Sequence, residues 1–274
     1  MDISCSKNKK HFFRDRDFLP GLRQSIELIL LPSMDALQNM MRLNIKPQPD
    51  DVTCGPTCLH ALYNYYQDTV DMEEVIAQVQ QLKTGGTLAV YLGIHALKRG
   101  YPATIYTYNL HIFDPSWFTE GTDLADKLRQ QSSLKKDRKI RKATAAYLQF
   151  LELGGKIRYA ELTNRLLKKY LVRRIPILTG LSATYLYQCA REIPETSQYD
   201  DVMGEPSGHF VLIKGYDKES RMVHISDPLN PNPVAKTEQH YQVSIYRLIN
   251  AILLGIVTYD ANLLIIQPKN SEYV

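Results

Sequence analysis

Cys54 stands at a position that suits a nucleophile. It lies in the run Thr53-Cys54-Gly55-Pro56, where a proline-punctuated loop turns into a predicted helix. Proline is tolerated in the first turn of a helix because its missing N–H has no intrahelical partner there. We therefore predict Cys54 at a helix N-terminus, where the dipole and the unpaired N–H groups favour a thiolate over a thiol. On this segment alone, a small buried cysteine that closes the helix start is the alternative.

A predicted β-hairpin supplies a second group of chemical residues. Residues 209–216 and 222–226 both alternate as strands do, and a short polar loop separates them. His209 begins the first run, and Asp227 follows the second. An antiparallel pairing of the two runs brings the histidine and the aspartate to the same end of the hairpin.

The apolar pattern of the two runs predicts their register. If Val211 faces Ile225, His209 falls directly opposite Asp227 on the same face, and the loop must contain an odd number of residues. Directly opposed Cβ atoms lie about 4.5–5.5 Å apart, so an imidazole–carboxylate hydrogen bond is predicted. The same register points His224 to the opposite face.

The chemical roles of these residues are complementary. A thiolate nucleophile needs an adjacent imidazole that holds the ion pair and later protonates the leaving group. The imidazole needs an orienting acceptor, which Asp227 supplies. Gln48, six residues before Cys54, carries an amide that could stabilise the oxygen of a carbonyl under attack, together with the Cys54 N–H. The order Gln48, Cys54, His209, Asp227 therefore predicts a catalytic site for acyl chemistry, although each residue alone has a purely structural interpretation.

Three motifs of the chain resemble those of a known family. They are Gln48-x5-Cys54-Gly55-Pro56, Gly208-His209-Phe210-Val211-Leu212 and Ser226-Asp227-Pro228. They are similar to motifs of the bacteriocin-processing, double-glycine leader peptidases, which are family thirty-nine of the cysteine peptidases in the papain-like superfamily. The resemblance implies Cys54 as nucleophile, His209 as base, Asp227 as orienting acid and Gln48 in the oxyanion hole. It covers about residues 44–110 and 172–268 and implies the stand-alone, peptidase-like branch.

The elements that must position these residues follow an α+β order. Apolar spacing predicts helices first and mostly antiparallel strands from Ile175 onward. The resemblance implies a papain-like fold, with a helical N-terminal half packed on the sheet and an extra helical insertion. Predicted helices begin at Cys54 and cover 73–83, 88–99 and 244–254, and 120–172 is predicted as helical throughout, with a turn at Gly154-Gly155. Predicted strands cover 102–108, 175–181, 209–216, 222–226 and 263–267.

The predicted domain organisation has one catalytic domain with decorations. Residues 1–43 are predicted as an N-terminal extension, 44–268 as the peptidase domain and 269–274 as a C-terminal tail. The resemblance does not explain the helical insertion, about residues 111–171. This insertion is predicted either as a lid or substrate-docking arm beside the cleft, or as a structural part of the helical half.

Composition limits the class of protein. A chain of 274 residues with 44% hydrophobic and 23% charged residues can bury a full core without disulfides or metals. A net charge of +4 gives no reason to predict a nucleic-acid partner. No apolar run approaches the length of a membrane span, and the first twenty residues do not resemble a signal peptide. The four cysteines lack the pattern of a disulfide framework. A cytoplasmic setting is therefore expected. No cofactor is required, and a peptide or protein is the expected substrate.

Two kinds of alternative to a peptidase remain open from the sequence, one enzymatic and one non-enzymatic. An acyltransferase, a transpeptidase or a deamidase would use the same catalytic residues and differ only in the second nucleophile or in the amide attacked. A peptide-binding module on an inactive peptidase scaffold is the non-enzymatic alternative. A metal site is disfavoured, because Cys54, Cys58 and His60 have poor ligand spacing. Cys58, one helical turn after Cys54, is predicted as a core residue.

Overall fold

A seven-stranded sheet organises residues 40–82 and 85–269, which are the residues that this computed structural model describes. The strand order is β2-β1-β9-β3-β6-β7-β8; β1 and β2 are parallel, and every other neighbouring pair is antiparallel. Strands β4 and β5 form a separate two-stranded hairpin. The strands are β1 Ala103–Thr107, β2 Lys156–Arg158, β3 Ile177–Ser182, β4 Glu192–Ile193, β5 Gln198–Tyr199, β6 Gly208–Asp217, β7 Met222–Ser226, β8 His240–Ser244 and β9 Asn262–Ile266.

Helices cover both faces of this sheet. They are α1 Cys54–Tyr65, α2 Met72–Gln78, α3 Ala89–Lys98, α4 Leu124–Leu134, α5 Arg138–Glu152, α6 Asn164–Leu171, α7 Ala183–Tyr187 and α8 Ile245–Leu254. Two 3₁₀ turns, Pro115–Phe118 and Gly255–Thr258, complete the described elements. None of the helices within residues 40–82 and 85–269 is long and apolar enough to cross a membrane.

The first core lies between the sheet and helices α1, α3 and α5. Helix α1 is buried from Cys54 to Tyr63, which is typical of a helix surrounded by other elements. Its apolar side chains pack against β6 through Phe210 and Leu212. Further buried members of this core are Leu92, Leu128, Phe150, Leu178 and Leu264.

The second core lies on the opposite face of the sheet, under helices α6 and α8. The strand residues that alternate with those of the first core, including Val211 and Ile225, point into it. The buried helical partners are Leu167, Leu171, Leu248, Ala251 and Ile252. Because alternate residues of the central strands serve two different cores, β3, β6 and β9 are buried at nearly every position.

The predicted α+β order is confirmed, and most predicted boundaries agree with the structure within two residues. The prediction of helix throughout 120–172 is wrong. The predicted turn at Gly154-Gly155 is present, with a φ of +87° at Gly154, but Lys156–Arg158 after it form β2 beside β1 instead of a helix. The helix predicted at 73–83 is shorter, because α2 ends at Gln78; residues 83 and 84 lie outside the described residues.

The segment 111–171 contributes to the core and to the sheet. Leu128, Tyr147 and Phe150 are buried in the first core, and β2 extends the sheet. These contacts agree with its interpretation as a structural part of the helical half. The predicted N-terminal extension, 1–43, and the predicted tail, 269–274, lie mostly outside the described residues.

Candidate active site

Cys54 is the first residue of α1 and faces a surface cleft. Its side chain is largely buried, with 8% of the residue exposed. The N–H groups of the first helical turn have no intrahelical acceptor, and the preceding Thr53 makes no side-chain capping bond to them. The thiol therefore lies at an uncapped helix N-terminus, where the helix dipole favours negative charge.

His209 lies between the thiol and a buried carboxylate. It is the second residue of β6 and is 6% exposed. Its Nε2 lies 2.8 Å from Oδ1 of Asp227. The imidazole also lies near the Cys54 side chain, close enough for the two groups to interact electrostatically, and both residues line the same cleft. Because Nε2 is engaged by the carboxylate, the nitrogen that faces the thiol is Nδ1.

Asp227 accepts four hydrogen bonds and has no exposed surface. Oδ1 accepts from His209 and from the Leu229 backbone N–H at 2.9 Å. Oδ2 accepts from the hydroxyl of Tyr187 at 2.8 Å and from that of Tyr241 at 2.6 Å. Four donors around two oxygens hold the carboxylate in one orientation and compensate for its burial.

The charges of this cluster stabilise one another. Burial by itself lowers the pKa of His209, but the neighbouring Asp227 carboxylate and Cys54 raise that pKa to about 10. Burial raises the pKa of Asp227, and the imidazolium and the Tyr241 hydroxyl outweigh burial, so that the net shift is downward. Burial and the carboxylate raise the pKa of Tyr187 and Tyr241, which therefore remain hydrogen-bond donors. A protonated imidazole beside the thiol is the favoured state at neutral pH.

Close packing between α1 and β6 brings the thiol to the imidazole. A Cβ atom at Gly55 would lie 2.8 Å from Cγ2 of Thr87 and 3.3 Å from the ring of Phe210. The absence of a side chain at Gly55 therefore lets the start of α1 pack closely against Thr87 and against β6. One turn later, the thiol of Cys58 donates to the backbone oxygen of Phe210 at 3.3 Å. Cys58 is fully buried, as predicted for a core residue.

The predicted hairpin register is wrong by two residues, although the predicted His209–Asp227 hydrogen bond is present. Ile213 pairs with Ile225, so Asp227 continues opposite Val211 and is a diagonal neighbour of His209. A two-residue error preserves the face on which a side chain lies. The register also leaves His224 on the face opposite His209, as predicted.

A β-bulge at Lys214 produces this register. The loop between Asp217 and Met222 contains four residues instead of the odd number predicted. With an even loop and no bulge, His209 would share its face with Ser226 and not with Asp227. The register shift between Ile213 and Gly215 inserts one residue and restores the required face.

Gln48 lies on the loop before α1, next to the segment that carries Asp227. Its backbone N–H donates to the oxygen of Pro228 at 2.8 Å. Its side-chain Nε2 donates to the backbone oxygen of Asp50 at 2.8 Å, and its Oε1 is buried without a hydrogen-bond partner. The loop is thus anchored between the helix start and the hairpin, but Gln48 is not among the residues that line the cleft.

The cleft at Cys54 and His209 has a volume of about 240 Å³. Its walls come from the loop before α1, from the turn at Gly85-Gly86 and from the segment that contains Thr258 and Asp260. A larger cavity of about 570 Å³ lies along α6, but neither cysteine nor histidine lines it. Across residues 40–82 and 85–269, no three His, Cys, Asp or Glu side chains are grouped so as to hold a metal ion.

Three residues of this region were not predicted. Tyr187 and Tyr241 donate to Asp227, and Asp260 lines the cleft. The alternation of His240-Tyr241-Gln242-Val243 is a strand signal that would have placed Tyr241 on a third strand of the hairpin sheet. Tyr187 and Asp260 reach the site through long-range contacts, for which the sequence carries no local signal.

Solved structures with a similar chain path are distant in sequence. A protein assigned as a C39-like peptidase from Bacillus anthracis has 14% identity, covers 82% of this chain and 94% of its own, and gives a TM-score of 0.42. The peptidase domain of Streptococcus ComA has 14% identity, covers 82% of this chain and 98% of its own, and gives a TM-score of 0.39. Xylellain, a cysteine protease from Xylella fastidiosa, has 14% identity, covers 91% of this chain and 94% of its own, and gives a TM-score of 0.34.

Family membership rests on the comparison with family models. No curated protein matches the chain. The model described as the Peptidase_C39 like family matches residues 39–250, which contain all four predicted site residues. The match agrees with the peptidase family that the motifs resemble. Because it spans well over half of the 274 residues, the chain belongs to the Peptidase_C39 like family and is an enzyme of the cysteine-peptidase type.

Proposed function

We propose that this protein hydrolyses peptide bonds of a peptide or protein substrate through an acyl-enzyme on Cys54. The observation that carries the proposal is the position of His209, whose ring lies between the Cys54 thiol and the buried carboxylate of Asp227. The helix N-terminus and the open cleft at the same point supply a favourable field for a thiolate and access for a substrate.

In the proposed acylation step, the Cys54 thiolate attacks the carbonyl carbon of the scissile bond. A new S–C bond forms, and the carbonyl oxygen becomes an oxyanion. The His209 imidazolium then donates the proton on Nδ1 to the leaving nitrogen, and the C–N bond breaks. The amine product leaves, and the acyl group stays on sulfur.

Asp227 acts in this mechanism as a positioning residue. Its hydrogen bond to Nε2 fixes the ring so that Nδ1 faces the sulfur, and its charge keeps the ring protonated before attack. Tyr187 and Tyr241 act through Asp227, because their hydroxyls occupy the oxygen that His209 does not use.

We further propose that Gln48 and the backbone N–H of Cys54 stabilise the oxyanion. The amide of Gln48 carries two hydrogens, and its bond to Asp50 uses one of them. The N–H of Cys54, as the first residue of α1, lacks an intrahelical acceptor. In this proposal the Gln48 side chain turns toward the cleft when substrate binds, so that its second hydrogen is donated to the oxyanion.

Deacylation completes the proposed cycle and defines the reaction as hydrolysis. His209, now neutral, takes a proton from a water molecule as its oxygen attacks the thioester carbon. The C–S bond then breaks, the acid product leaves, and the Cys54 thiolate and the His209 imidazolium are restored. We assign this activity to a peptidase domain at 44–268, with residues 111–171 as an integral part. The described cysteines Cys54, Cys58 and Cys189 are unpaired, which suits a reducing, cytoplasmic setting.

Mass spectrometry of products from a peptide library tests this proposal. Incubation with and without a primary amine acceptor separates hydrolysis from acyl transfer, because only transfer yields an amide of the added amine. A gain of 1 Da without chain cleavage would identify deamidation. We expect cleaved acids as the products, no activity in Cys54→Ala, and a fall in kcat of about 10²–10³-fold in Gln48→Ala. A Gln48→Ala enzyme with unchanged kcat would remove Gln48 from the mechanism.

A further inference from the structure

Asp260 is a second carboxylic acid in the wall of the cleft. It precedes β9, is 7% exposed and lines the same cleft as Cys54 and His209. Two glycines make room for its side chain. A Cβ atom at Gly180 would lie 2.9 Å from Cβ of Asp260, and one at Gly208 would fall on the carboxylate Oδ2. The carboxylate therefore lies against the residue that precedes the candidate base.

The polar partners of Asp260 are few for a buried acid. The Thr258 hydroxyl lies beside its side chain but donates to the backbone oxygen of Gly255 at 3.1 Å. The positive charge that acts on Asp260 is that of His209. That imidazole already hydrogen-bonds to Asp227. Within the part of the chain that the structure describes, Asp260 forms no salt bridge with lysine or arginine.

The described walls of the cleft carry more negative than positive side chains. Asp51 and Asp260 contribute two carboxylates, and the described lining residues include neither lysine nor arginine. The only positive charge near Asp260 among the described cleft residues is that of His209, which is already paired with Asp227. A buried carboxylate without a cation of its own is costly, and burial raises the pKa of Asp260 to about 7. A ligand that brings a positive charge into the cleft would supply the missing partner and favour the ionised form of the acid.

We propose that Asp260 is a specificity-determining residue that selects substrates with a positive charge next to the scissile bond. The ligand chemistry is a protonated amine or a guanidinium. Its source is either a lysine or arginine side chain or the free N-terminus of a short peptide. As a statement about substrates this inference rests on the proposed peptidase function, whereas the charge preference of the cleft can be measured without any turnover.

Charged thiol reagents measure that preference directly. Methanethiosulfonates with an ethylammonium, a neutral or an ethylsulfonate group are matched in size and react with the same thiol. The rate of Cys54 modification by each reagent is mapped by mass spectrometry and divided by its rate with a free thiol. We expect the corrected rate with the cationic reagent to exceed that with the anionic reagent by about tenfold or more at pH 8. The carboxylate of Asp260 would attract the first reagent and repel the second.

The variant Asp260→Asn keeps the size of the side chain and removes the charge. We expect it to bring the cation-to-anion ratio to within about threefold of unity, by the same field argument. Asp51→Asn is the matched control; it should change the ratio far less, because Asp51 is exposed and its charge is screened by solvent. An unchanged ratio in Asp260→Asn would overturn the inference.

The wild-type protein gives a second test if Asp260→Asn does not fold. Because the pKa of Asp260 is about 7, the cation-to-anion ratio should rise between pH 5.5 and pH 8.5. The titratable groups that face Asp260 are His209 on β6 and Tyr147 on α5, and burial raises the pKa of Tyr147 so that it stays neutral in this range. The rate with the neutral reagent shows how the reactivity of the thiol itself changes with pH through His209 and Cys54. A cation-to-anion ratio that does not change between pH 5.5 and pH 8.5 would therefore contradict the role of Asp260.

Matched peptides identify the source of the charge. Three pairs of quenched fluorescent peptides each compare a charged group with a neutral one of similar size. The pairs are lysine and norleucine, arginine and citrulline, and a free and an acetylated N-terminus. We expect wild type to prefer the charged member of at least one pair, and Asp260→Asn to lower kcat/KM for that member about tenfold more than for its neutral partner. Equal losses for both members would overturn the specificity role. If the reagents show a preference that depends on Asp260 but no peptide is cleaved, the peptidase proposal fails and the cation site stands.

Discussion

Replacement of Asp227 by asparagine removes the charge at the centre of the site and leaves its shape. Each carboxylate oxygen accepts two hydrogen bonds, whereas an asparagine side chain has one acceptor oxygen and one NH2 group. Whichever way the amide turns, its NH2 group faces two other donors. The buried imidazolium of His209 also loses its counter-charge. Loss of one partner from a buried ion pair typically costs about 3–5 kcal/mol, and we expect the free energy of unfolding to fall by that amount.

The loss should depend on pH in a defined window. The pKa of His209 is raised from 6.5 to about 10, so its contribution to stability is complete below pH 6.5 and is lost as the pH rises toward 10. The pKa of Asp227 is lowered from 3.8, so its contribution is present above that value and is lost as the pH falls below it. The difference between wild type and Asp227→Asn should therefore be largest between pH 4 and 6.5.

Urea unfolding at several pH values, followed by the fluorescence of the single tryptophan, measures this difference. Asp201→Asn, an exposed carboxylate, is the control and should change the free energy of unfolding by about 0.5 kcal/mol or less. A loss below about 1 kcal/mol in Asp227→Asn, or the same loss at pH 5 and pH 9, would refute the reasoning that a buried ion pair holds this site together.

Three further substitutions test the positioning of the site. Tyr241→Phe deletes a donor to Asp227 and should lower the free energy of unfolding by about 1.5–3 kcal/mol in the same urea assay; an unchanged midpoint would show that the bond is not formed in solution. His224→Ala should leave the alkylation rate of the candidate nucleophile unchanged, because the register puts His224 on the opposite face; a large loss would contradict that register. Gly55→Ala should cost about 1–3 kcal/mol and slow alkylation, because the new Cβ atom would lie 2.8 Å from Cγ2 of Thr87; wild-type stability and rate would refute close packing around Gly55.

Local sequence signals were sufficient for the elements that carry the chemistry. The loop, glycine and proline around Cys54 predicted the start of α1 correctly. Alternation predicted β7 with both of its boundaries. The hydrogen bond between His209 and Asp227 also followed from the pattern, because only the face of the strand had to be right.

Features that depend on packing between distant segments could not be predicted in the same way. The bulge at Lys214 alters the register by one residue and leaves no mark in the apolar alternation. The strand β2 has only three residues and forms because β1 offers a free edge beside it. Asp260 reaches the cleft only because Gly180 and Gly208, far away in sequence, leave space for its side chain.

The alkylation of Cys54 by iodoacetamide across pH 4–9 is the most direct test of the proposed thiolate–imidazolium pair. The modified cysteine is mapped by mass spectrometry in wild type and in His209→Ala, with Cys189 as the internal reference for an unactivated thiol. We predict selective modification of Cys54 well below the ordinary thiol pKa of about 8.5, and loss of that reactivity in His209→Ala. Modification of Cys54 no faster than Cys189, and equal in both proteins, would contradict the catalytic assignment and favour a peptide-binding role for the cleft.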